Sequence, residues 1–277
     1  MHRLLSLLLA SALLLLSPAG LTAAPRKAGK EKKPFTLVLD PGHGGKDFGC
    51  VGKLTNEKTI VLNVAKLLGK MVDEEFGDSI RTVYTRSDDR FISLQERAGI
   101  ANRARGNFFV SIHVNSVDRR TRGRESIHGA SVYTLGLHKS ESNLNVAMRE
   151  NAVMELEEDY SATYQGFDPN SSESYIIFEL NQDAHIRQSL EMASLMQNQL
   201  IRHAGRADKE VRQAGFWVLW STSMPSVLVE LDFICNPAAE KFLSSAAGQK
   251  KCAQALFRAI KEYYRHHKQS AQSGRDR

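Results

Sequence analysis

Short apolar, β-branched runs alternate along the chain with stretches of helical periodicity, and this alternation limits the fold more than any other feature of the sequence. The run FTLVLD (35–40), for example, precedes a stretch whose apolar residues recur on one helical face (56–75). Further runs predict strands at 80–86, 107–116, 129–136, 215–222 and 225–233 and helices at 93–106, 189–205 and 238–267. The pattern predicts an α/β layer structure with a largely parallel or mixed sheet. At 277 residues with 42% apolar composition, one domain is expected.

The region 137–188 interrupts this alternation. Its first part, SNLNVAMRENAVMELEEDYS (142–161), is helical in pattern, and the part that follows, ATYQGFDPNSSESYI (162–176), is rich in turn residues. The region is too long for a connection in a compact fold, so it is interpreted as a functional insertion.

The two ends of the chain differ from its middle. A basic start, an apolar run from Leu4 to Leu16 and small residues after it predict a secretory signal peptide over 1–24. The run is too short for a membrane span, so no transmembrane segment is expected in the mature protein. A basic linker (25–34) and a polar tail (265–277) carry +4 and +3, and Arg3 adds +1, which leaves −2 for the rest out of a formal +6. Basicity confined to the ends argues against nucleic acid as a partner.

One loop, LVLDPGHGGKDFG (37–49), suggests three interpretations: a phosphate-binding loop, a metal site or a tight turn. The spacing fails for a nucleotide. A Walker loop starting at Gly44 would have its second glycine at Gly49, but Cys50 and Val51 follow in place of Lys and Ser/Thr. A Rossmann fingerprint starting at Gly42 would need a glycine where Asp47 stands.

Polar residues follow three of the predicted strands directly. His43, His113 and Glu230 each lie at a carboxyl end, and Glu57 lies in the first turn of the helix after the His43 loop. Ligands bind at this edge of open α/β sheets. Two imidazoles and one carboxylate suit Zn²⁺, whose bound water becomes acidic, and a further carboxylate can act as base. Spacing alone leaves ordinary alternatives open: turn or core histidines, and a glutamate at a helix dipole.

The motifs VLDPGHGGKDFG, NEK, VYTRSDDRFISLQERAGIAN, FVSIHVNS and LWSTSMPSVLVELDFICNPAAEKFL occur in this order over 35–264. In this respect the chain resembles the catalytic domain of the zinc-dependent N-acetylmuramoyl-L-alanine amidases of bacterial cell walls. The resemblance implies a twisted, mostly parallel sheet of about six strands flanked by helices. It implies zinc ligands at His43, Glu57 and His113 and a catalytic Glu230. The implied reaction is hydrolysis of the amide between N-acetylmuramic acid and L-alanine in peptidoglycan, during wall remodelling and daughter-cell separation. An exported protein of the periplasm or cell surface would meet this substrate.

The resemblance also gives the insertion a role. Division amidases of this family often carry a helix whose glutamate blocks the open zinc position until an activator protein displaces it. The segment VAMRENAVMELEED resembles that helix. Glu150 best matches the blocking residue, with Glu155, Glu157 and Glu158 as rivals. A solvated acidic helix is the alternative.

Asp232 departs from the family pattern, which usually has glycine there. It could share the face of Glu230 and affect its pKa, or be a harmless surface group. Cys252 is expected in the core, whereas Cys50 and Cys235, near the site loops, could form a disulfide.

Other readings of the site and of one further loop stay open from the sequence. A different zinc peptidase or amidase acting on wall peptides would use the same ligands, and a wall-binding pseudoenzyme is a third reading. The Arg-rich loop 118–125 could contact peptide carboxylates or an acidic partner, or be only solvated.

Overall fold

A single six-stranded sheet organises the computed structural model, which describes residues 33–180 and 184–273. The strands are β1 (Phe35–Pro41), β2 (Ile80–Tyr84), β3 (Phe108–Asn115), β4 (Ala130–Leu135), β5 (Asp208–Ala214) and β6 (Ser226–Phe233). Their order across the sheet is β2-β1-β3-β6-β4-β5. Neighbours are parallel except β4 and β6, which are antiparallel. The expected mostly parallel sheet of about six strands is confirmed.

Helices connect and cover the strands. They are α1 (Glu57–Phe76), α2 (Leu94–Arg103), α3 (Glu141–Asn151), α4 (Tyr160–Thr163), α5 (Ile177–Leu180), α6 (Ile186–Ala204), α7 (Trp217–Trp220), α8 (Pro237–Ser244) and α9 (Ala246–Ser273). Single 3₁₀ turns occupy Gly77–Ser79, Arg124–Ser126, Ala152–Leu156 and Ser172–Ile176. Asn56 caps α1 by accepting a hydrogen bond from the Thr59 amide, which fixes where Glu57 enters the fold.

Side chains of the central strands are buried on both faces of the sheet, as expected when helices cover both sides. Leu37 and Leu39 join the core under α1, α6 and α9, whereas Val38 joins the core under α2 and α7. This alternation follows the two-residue repeat of a strand. Cys252 is buried in the core under α1, α6 and α9, as its helical pattern predicted.

The strand predicted over 215–222 is wrong. The strand of this region lies earlier, at β5, and Trp217–Trp220 forms the short helix α7. Burial explains both errors. The edge strand β5 is polar and mostly half-buried, so it has no apolar run. The aromatic run at 216–220 packs into the core as a helical turn. Periodicity cannot distinguish a short buried helix from a short buried strand.

Towards the carboxyl end, α9 continues to Ser273, so the segment expected as a polar tail (265–277) is helical over most of its length. The His267 ring packs edge-on against Phe35 at 5.4 Å between centroids. The proposed signal peptide (1–24) and most of the proposed linker (25–34) lie outside the described residues. Within the residues described, no helix combines the length and the apolar character that crossing a membrane requires.

Candidate metal centre and active site

The four residues expected to form the site come together at one end of the sheet. His43 follows β1, Glu57 opens α1, and His113 and Glu230 are register partners on the adjacent parallel strands β3 and β6. All four side chains are buried. The reason is topological, since the carboxyl ends of parallel strands meet at the same sheet edge.

A fifth residue, Glu150 of α3, reaches the same point. Its Oε2 lies 2.9 Å from His113 Nδ1 and 3.2 Å from His43 Nε2. The Oε1 of Glu57 lies 3.1 Å from each of the same two nitrogens. One donor atom from each of His43, Glu57, His113 and Glu150 can be chosen so that all four atoms lie within 4.8 Å of one another, and these residues form the donor cluster.

The rival glutamates do not approach the histidines in this way. Glu155 is exposed and accepts a hydrogen bond from Asn170, and Glu158 is also exposed. Glu157 binds the hydroxyl of Tyr164 and the amide of Leu94. Among the four acidic candidates of the insertion, Glu150 alone lies in the donor cluster.

The donor set fits a zinc ion. With zinc–ligand distances of 2.0–2.1 Å, donors at the corners of a tetrahedron lie about 3.3 Å apart. The nitrogen–oxygen separations of 2.9–3.2 Å are close to that value. His43 Nε2 and Glu150 Oε2 are also buried without a hydrogen-bond partner, which is costly unless a cation lies between them.

The charges of the donor groups also favour a bound cation. Burial alone would lower the pKa of both imidazoles, but the carboxylates of Glu57 and Glu150, joined at His43 by that of Asp47, outweigh it. They raise the pKa of His113 to about 9 and that of His43 well above its usual value. The two carboxylates therefore require positive charge between them. Two protons on the imidazoles or one divalent cation would supply it, and the two compete for the same nitrogens.

Surrounding groups fix how His43 presents its ring. Asp47 Oδ2 lies 2.7 Å from His43 Nδ1, so the carboxylate holds the Nδ1 proton and leaves Nε2 free as a donor atom. His43 itself has a φ of 58°. A Cβ on Gly42 would lie 2.3 Å from His113 Cε1, and one on Gly49 would lie 2.6 Å from Glu57 Oε2. These two glycines therefore make room for the side chains of His113 and Glu57.

Glu230, the expected base, is fully buried beside this cluster. Burial, followed by the charge of Glu150, raises its pKa to about 8. Its Oε2 has no hydrogen-bond partner, and its Oε1 lies 3.4 Å from Arg149 Nη2. Arg149 also donates to Ser116 O at 2.7 Å, to Asn115 Oδ1 and to Glu150 Oε1.

Little space is left around the donors. The enclosed cavity lined by His43, His113 and Glu150 is only about 10 Å³, roughly the space that a single water molecule needs. In this conformation, with Glu150 of α3 among the lining residues, no ligand larger than a water molecule has room beside the donor cluster.

Asp232 is neither a surface group nor a neighbour of Glu230 on the same face, the two alternatives considered from the sequence. It is fully buried, so it is not a surface group, and it binds Arg206 at 2.5 Å and the amides of Gly129 and Phe233. The register between β3 and β6 shifts after the His113–Glu230 pair. This irregularity breaks simple alternation, so Asp232 pairs with Arg206, just after the end of α6, and does not share the side of Glu230.

The other expectations concern cysteines and the Arg-rich loop. All three cysteines are free thiols, and Cys235 Sγ contacts Arg124 O at 3.4 Å. The Arg-rich loop is exposed except for half-buried Arg124. Arg120 pairs with Asp118 of the same loop, which fits a solvated segment.

Sequence reasoning missed two residues of the site, Asp47 and Arg149. Asp47 carries a usable signal, since a carboxylate four residues after a candidate ligand histidine can orient its ring. Arg149 carries none, because an arginine on an acidic helix ordinarily indicates an exposed face.

Fold and site together define an α/β protein with a buried His/Glu centre of the kind found in metal-dependent hydrolases. Residues 37–262 match the family model described as N-acetylmuramoyl-L-alanine amidase. The chain therefore belongs to the N-acetylmuramoyl-L-alanine amidase family of hydrolases, which confirms the resemblance seen in its motifs.

Individual relatives agree. The amidase AmiC of Escherichia coli O6:H1 is 33% identical over 89% of this chain and 57% of AmiC. AmiA of Escherichia coli K12 is 34% identical over 86% of this chain and 79% of AmiA. The chain thus spans little more than half of AmiC and about four fifths of AmiA. The solved catalytic domain of CwlV from Paenibacillus polymyxa superposes with a TM-score of 0.60 at 26% identity, covering 83% of this chain and 98% of that domain.

Proposed function

We propose that this chain is a zinc-dependent N-acetylmuramoyl-L-alanine amidase, which hydrolyses the amide between the lactyl group of N-acetylmuramic acid and L-alanine of the peptidoglycan stem peptide. The observation that carries the proposal is the convergence of His43, Glu57 and His113 beside Glu230, in a chain of the amidase family. His43, Glu57 and His113 would hold the metal.

The residues divide the chemistry between them. When bound, zinc would polarise the amide carbonyl and make a water molecule acidic enough to attack near neutral pH. Glu230 accepts the proton of the attacking water and returns it to the departing nitrogen, without which the amine is a poor leaving group. Glu230 is fully buried and pairs in register with the proposed ligand His113, which places its carboxylate beside the proposed metal for both steps.

We also propose that α3 holds the enzyme inactive. A catalytic zinc site keeps one position open, and Glu150 would fill that position as a fourth ligand. Arg149, the preceding residue, would add a second block by engaging the carboxylate of Glu230. The small cavity supports this reading, since no glycan strand enters 10 Å³. A protein activator that displaces α3 would relieve both blocks.

The setting follows from the substrate. We propose export to the periplasm or cell surface, supported by the leader pattern over 1–24, and a role in wall remodelling and daughter-cell separation. Cell fractionation with mass analysis of the mature amino terminus tests export. Microscopy of cells that lack the protein tests the role in separation, since daughter cells should then remain joined in chains.

Digestion of purified peptidoglycan with and without a zinc chelator tests the activity, with products identified by mass. The expected products are free stem peptides that begin with L-alanine and glycan strands that keep the lactyl group. Zinc should restore chelated enzyme, and Glu230→Gln should lose about 10²–10⁴-fold in rate. Shortened peptides would instead identify a different zinc peptidase, and wall binding without cleavage by the wild type and Glu150→Ala would identify a binding module.

Glu150→Ala tests the block, with Glu155→Ala as its matched control because Glu155 is exposed and lies outside the cluster. Basal cleavage should rise in Glu150→Ala and not in the control. Adding Arg149→Ala should raise it further, because the base is then released as well. A zinc-loaded Glu150→Ala enzyme with wild-type activity would refute autoinhibition and leave the amidase assignment intact.

A further inference from the structure

Two buried arginines lie directly beneath the loop that carries His43. Arg86 follows β2 and Arg97 lies in α2, and both side chains are almost completely inaccessible to solvent. One buried carboxylate, Asp40, accepts a 2.8 Å hydrogen bond from Arg97. The two guanidinium groups carry more N–H donors than Asp40 accepts, so the partners of their other donors indicate what the arginines hold.

Four of their other contacts go to backbone carbonyls of one short segment, residues 41–43, and two more go to Asp88 O and Ile92 O. Pro41 O accepts from Arg86 Nε at 2.9 Å and from Arg97 Nη1 at 2.8 Å. Gly42 O accepts from Arg86 Nη2 at 2.7 Å, and His43 O accepts from Arg97 Nη2 at 2.6 Å. Three consecutive carbonyls, ending at His43, are therefore bound by charged donors, which make the stronger class of hydrogen bond.

Arg86 also reaches the second proposed ligand. The same Nη2 that binds Gly42 O binds Lys58 O at 2.9 Å. Lys58 follows Glu57 in the first turn of α1. One nitrogen atom thus joins the backbone beside His43 to the backbone beside Glu57, and it sets the spacing between those two residues.

The loop needs this support because of its conformation. His43 has a φ of 58°, which residues other than glycine seldom adopt and which surrounding contacts must hold. Gly44 permits the close approach of the arginine, since a Cβ there would lie 2.9 Å from Arg86 Nε. Both features indicate a segment shaped around the two guanidinium groups.

We propose that Arg86 and Arg97 are positioning residues for the metal centre, which hold the left-handed His43 so that its Nε2 meets Glu57 Oε1. The proposal rests on the zinc site of the proposed function. Both arginines are buried, so they would act through the backbone of the His43 loop rather than on substrate. Lysine cannot replace either one, because a single ammonium cannot span the carbonyls that the planar fork binds together.

The test compares Arg86→Lys and Arg97→Lys with the matched control Arg103→Lys, which changes an exposed arginine of the same helix α2. Each variant is first shown to be folded by near-ultraviolet circular dichroism. The zinc dissociation constant is then measured by competition with a chromophoric chelator. We expect it to rise about 10–100-fold in both variants, the size of effect typical of groups that orient metal ligands, and not in the control.

Hydrogen exchange in metal-free protein gives a second readout that does not depend on zinc or on activity. The Gly44 amide, which donates to Asp47 O at 2.9 Å, should exchange faster in both lysine variants and at the wild-type rate in Arg103→Lys. If one lysine variant fails to fold, the other decides. A folded variant with wild-type zinc affinity and wild-type exchange at Gly44 would overturn the proposal, whatever its melting temperature. A wild-type protein that binds zinc but leaves the lactyl–alanine amide intact would refute the proposed function alone.

Discussion

Removing the buried carboxylate of Asp232 should destabilise the fold without affecting catalysis. Asp232 accepts hydrogen bonds from the Gly129 and Phe233 amides and from Arg206, whose guanidinium stacks 3.7 Å above the Phe242 ring. Asp232→Gly restores the residue usual in the family but leaves Arg206 without its counter-charge in a largely buried position. Breaking a buried ion pair from one side costs about 3–5 kcal/mol. For a domain of this size, the melting temperature should fall by roughly 6–20 °C.

Asp232→Asn separates the two contributions. Asparagine keeps an oxygen for the two amides but loses the charge that pairs with Arg206. The unfolding free energy of this variant should therefore lie between those of the wild type and of the glycine variant. Urea unfolding followed by circular dichroism gives the free energies. Asp88→Asn is the matched control, because the Asp88 side chain is 62% exposed and pairs only at the surface with Arg90.

The rate of wall cleavage tests whether Asp232 contributes to stability alone. At temperatures well below the melting transition, the rate of wall cleavage by Asp232→Asn should match that of the wild type, because the carboxylate turns away from Glu230. If Asp232→Gly lost less than about 1 kcal/mol of unfolding free energy, that result would contradict the ion pair assigned to Asp232 and Arg206. A change in cleavage rate with unaltered stability would show instead that Asp232 acts at the cleft.

Three further perturbations test the site and its support. Asp47→Asn should weaken zinc binding about 10–100-fold in chelator competition, because His43 Nδ1 loses the carboxylate that fixes its proton; an unchanged affinity would remove Asp47 from the site. Gly42→Ala should displace His113 and abolish zinc binding. Gly99→Ala should not, because its Cβ would meet only the flexible ends of Arg103 and Glu96; equal zinc affinities of the two variants would contradict the packing around Gly42. Burial opposes ionisation of Asp40, but Arg97, Thr85 and Ser111 outweigh it and lower its pKa, so its ionised form stabilises the fold above about pH 3.9 and that contribution is lost on further acidification. The difference in unfolding free energy between wild type and Asp40→Asn should therefore be constant near neutrality and shrink below about pH 4, and a difference that grows on acidification would reverse the assigned sign.

The positions of the proposed ligand histidines and of Glu230 were predictable because each residue closely follows or ends an apolar run. Parallel strands bring such ends together at one edge of the sheet. The sheet itself was predictable for the same reason, since its central strands are buried on both faces and consist of apolar runs. These features depend on local pattern and on topology alone.

What could not be predicted depends on contacts between distant segments. The edge strand β5 is polar because one side faces solvent, so no apolar signal marks it. The burial of Asp232 depends on a register shift that sequence spacing cannot reveal. Arg149 sits on an acidic helix that looks solvated, and its role depends on the carboxylate of Glu230, which lies 81 residues further along the chain.

The pairing of His113 with Glu230 across β3 and β6 means that the sheet itself sets the separation between the proposed metal ligand and the proposed base. Adjacent strands lie about 4.8 Å apart, a distance fixed by main-chain hydrogen bonds rather than by any side chain. Loops around the cleft can therefore change in length without altering that separation. A single residue inserted into β6 before Glu230 would be far more damaging, because it would turn the carboxylate through the sheet into the apolar core under α1 and α9, and the protein could then keep its zinc ligands while having no base within reach.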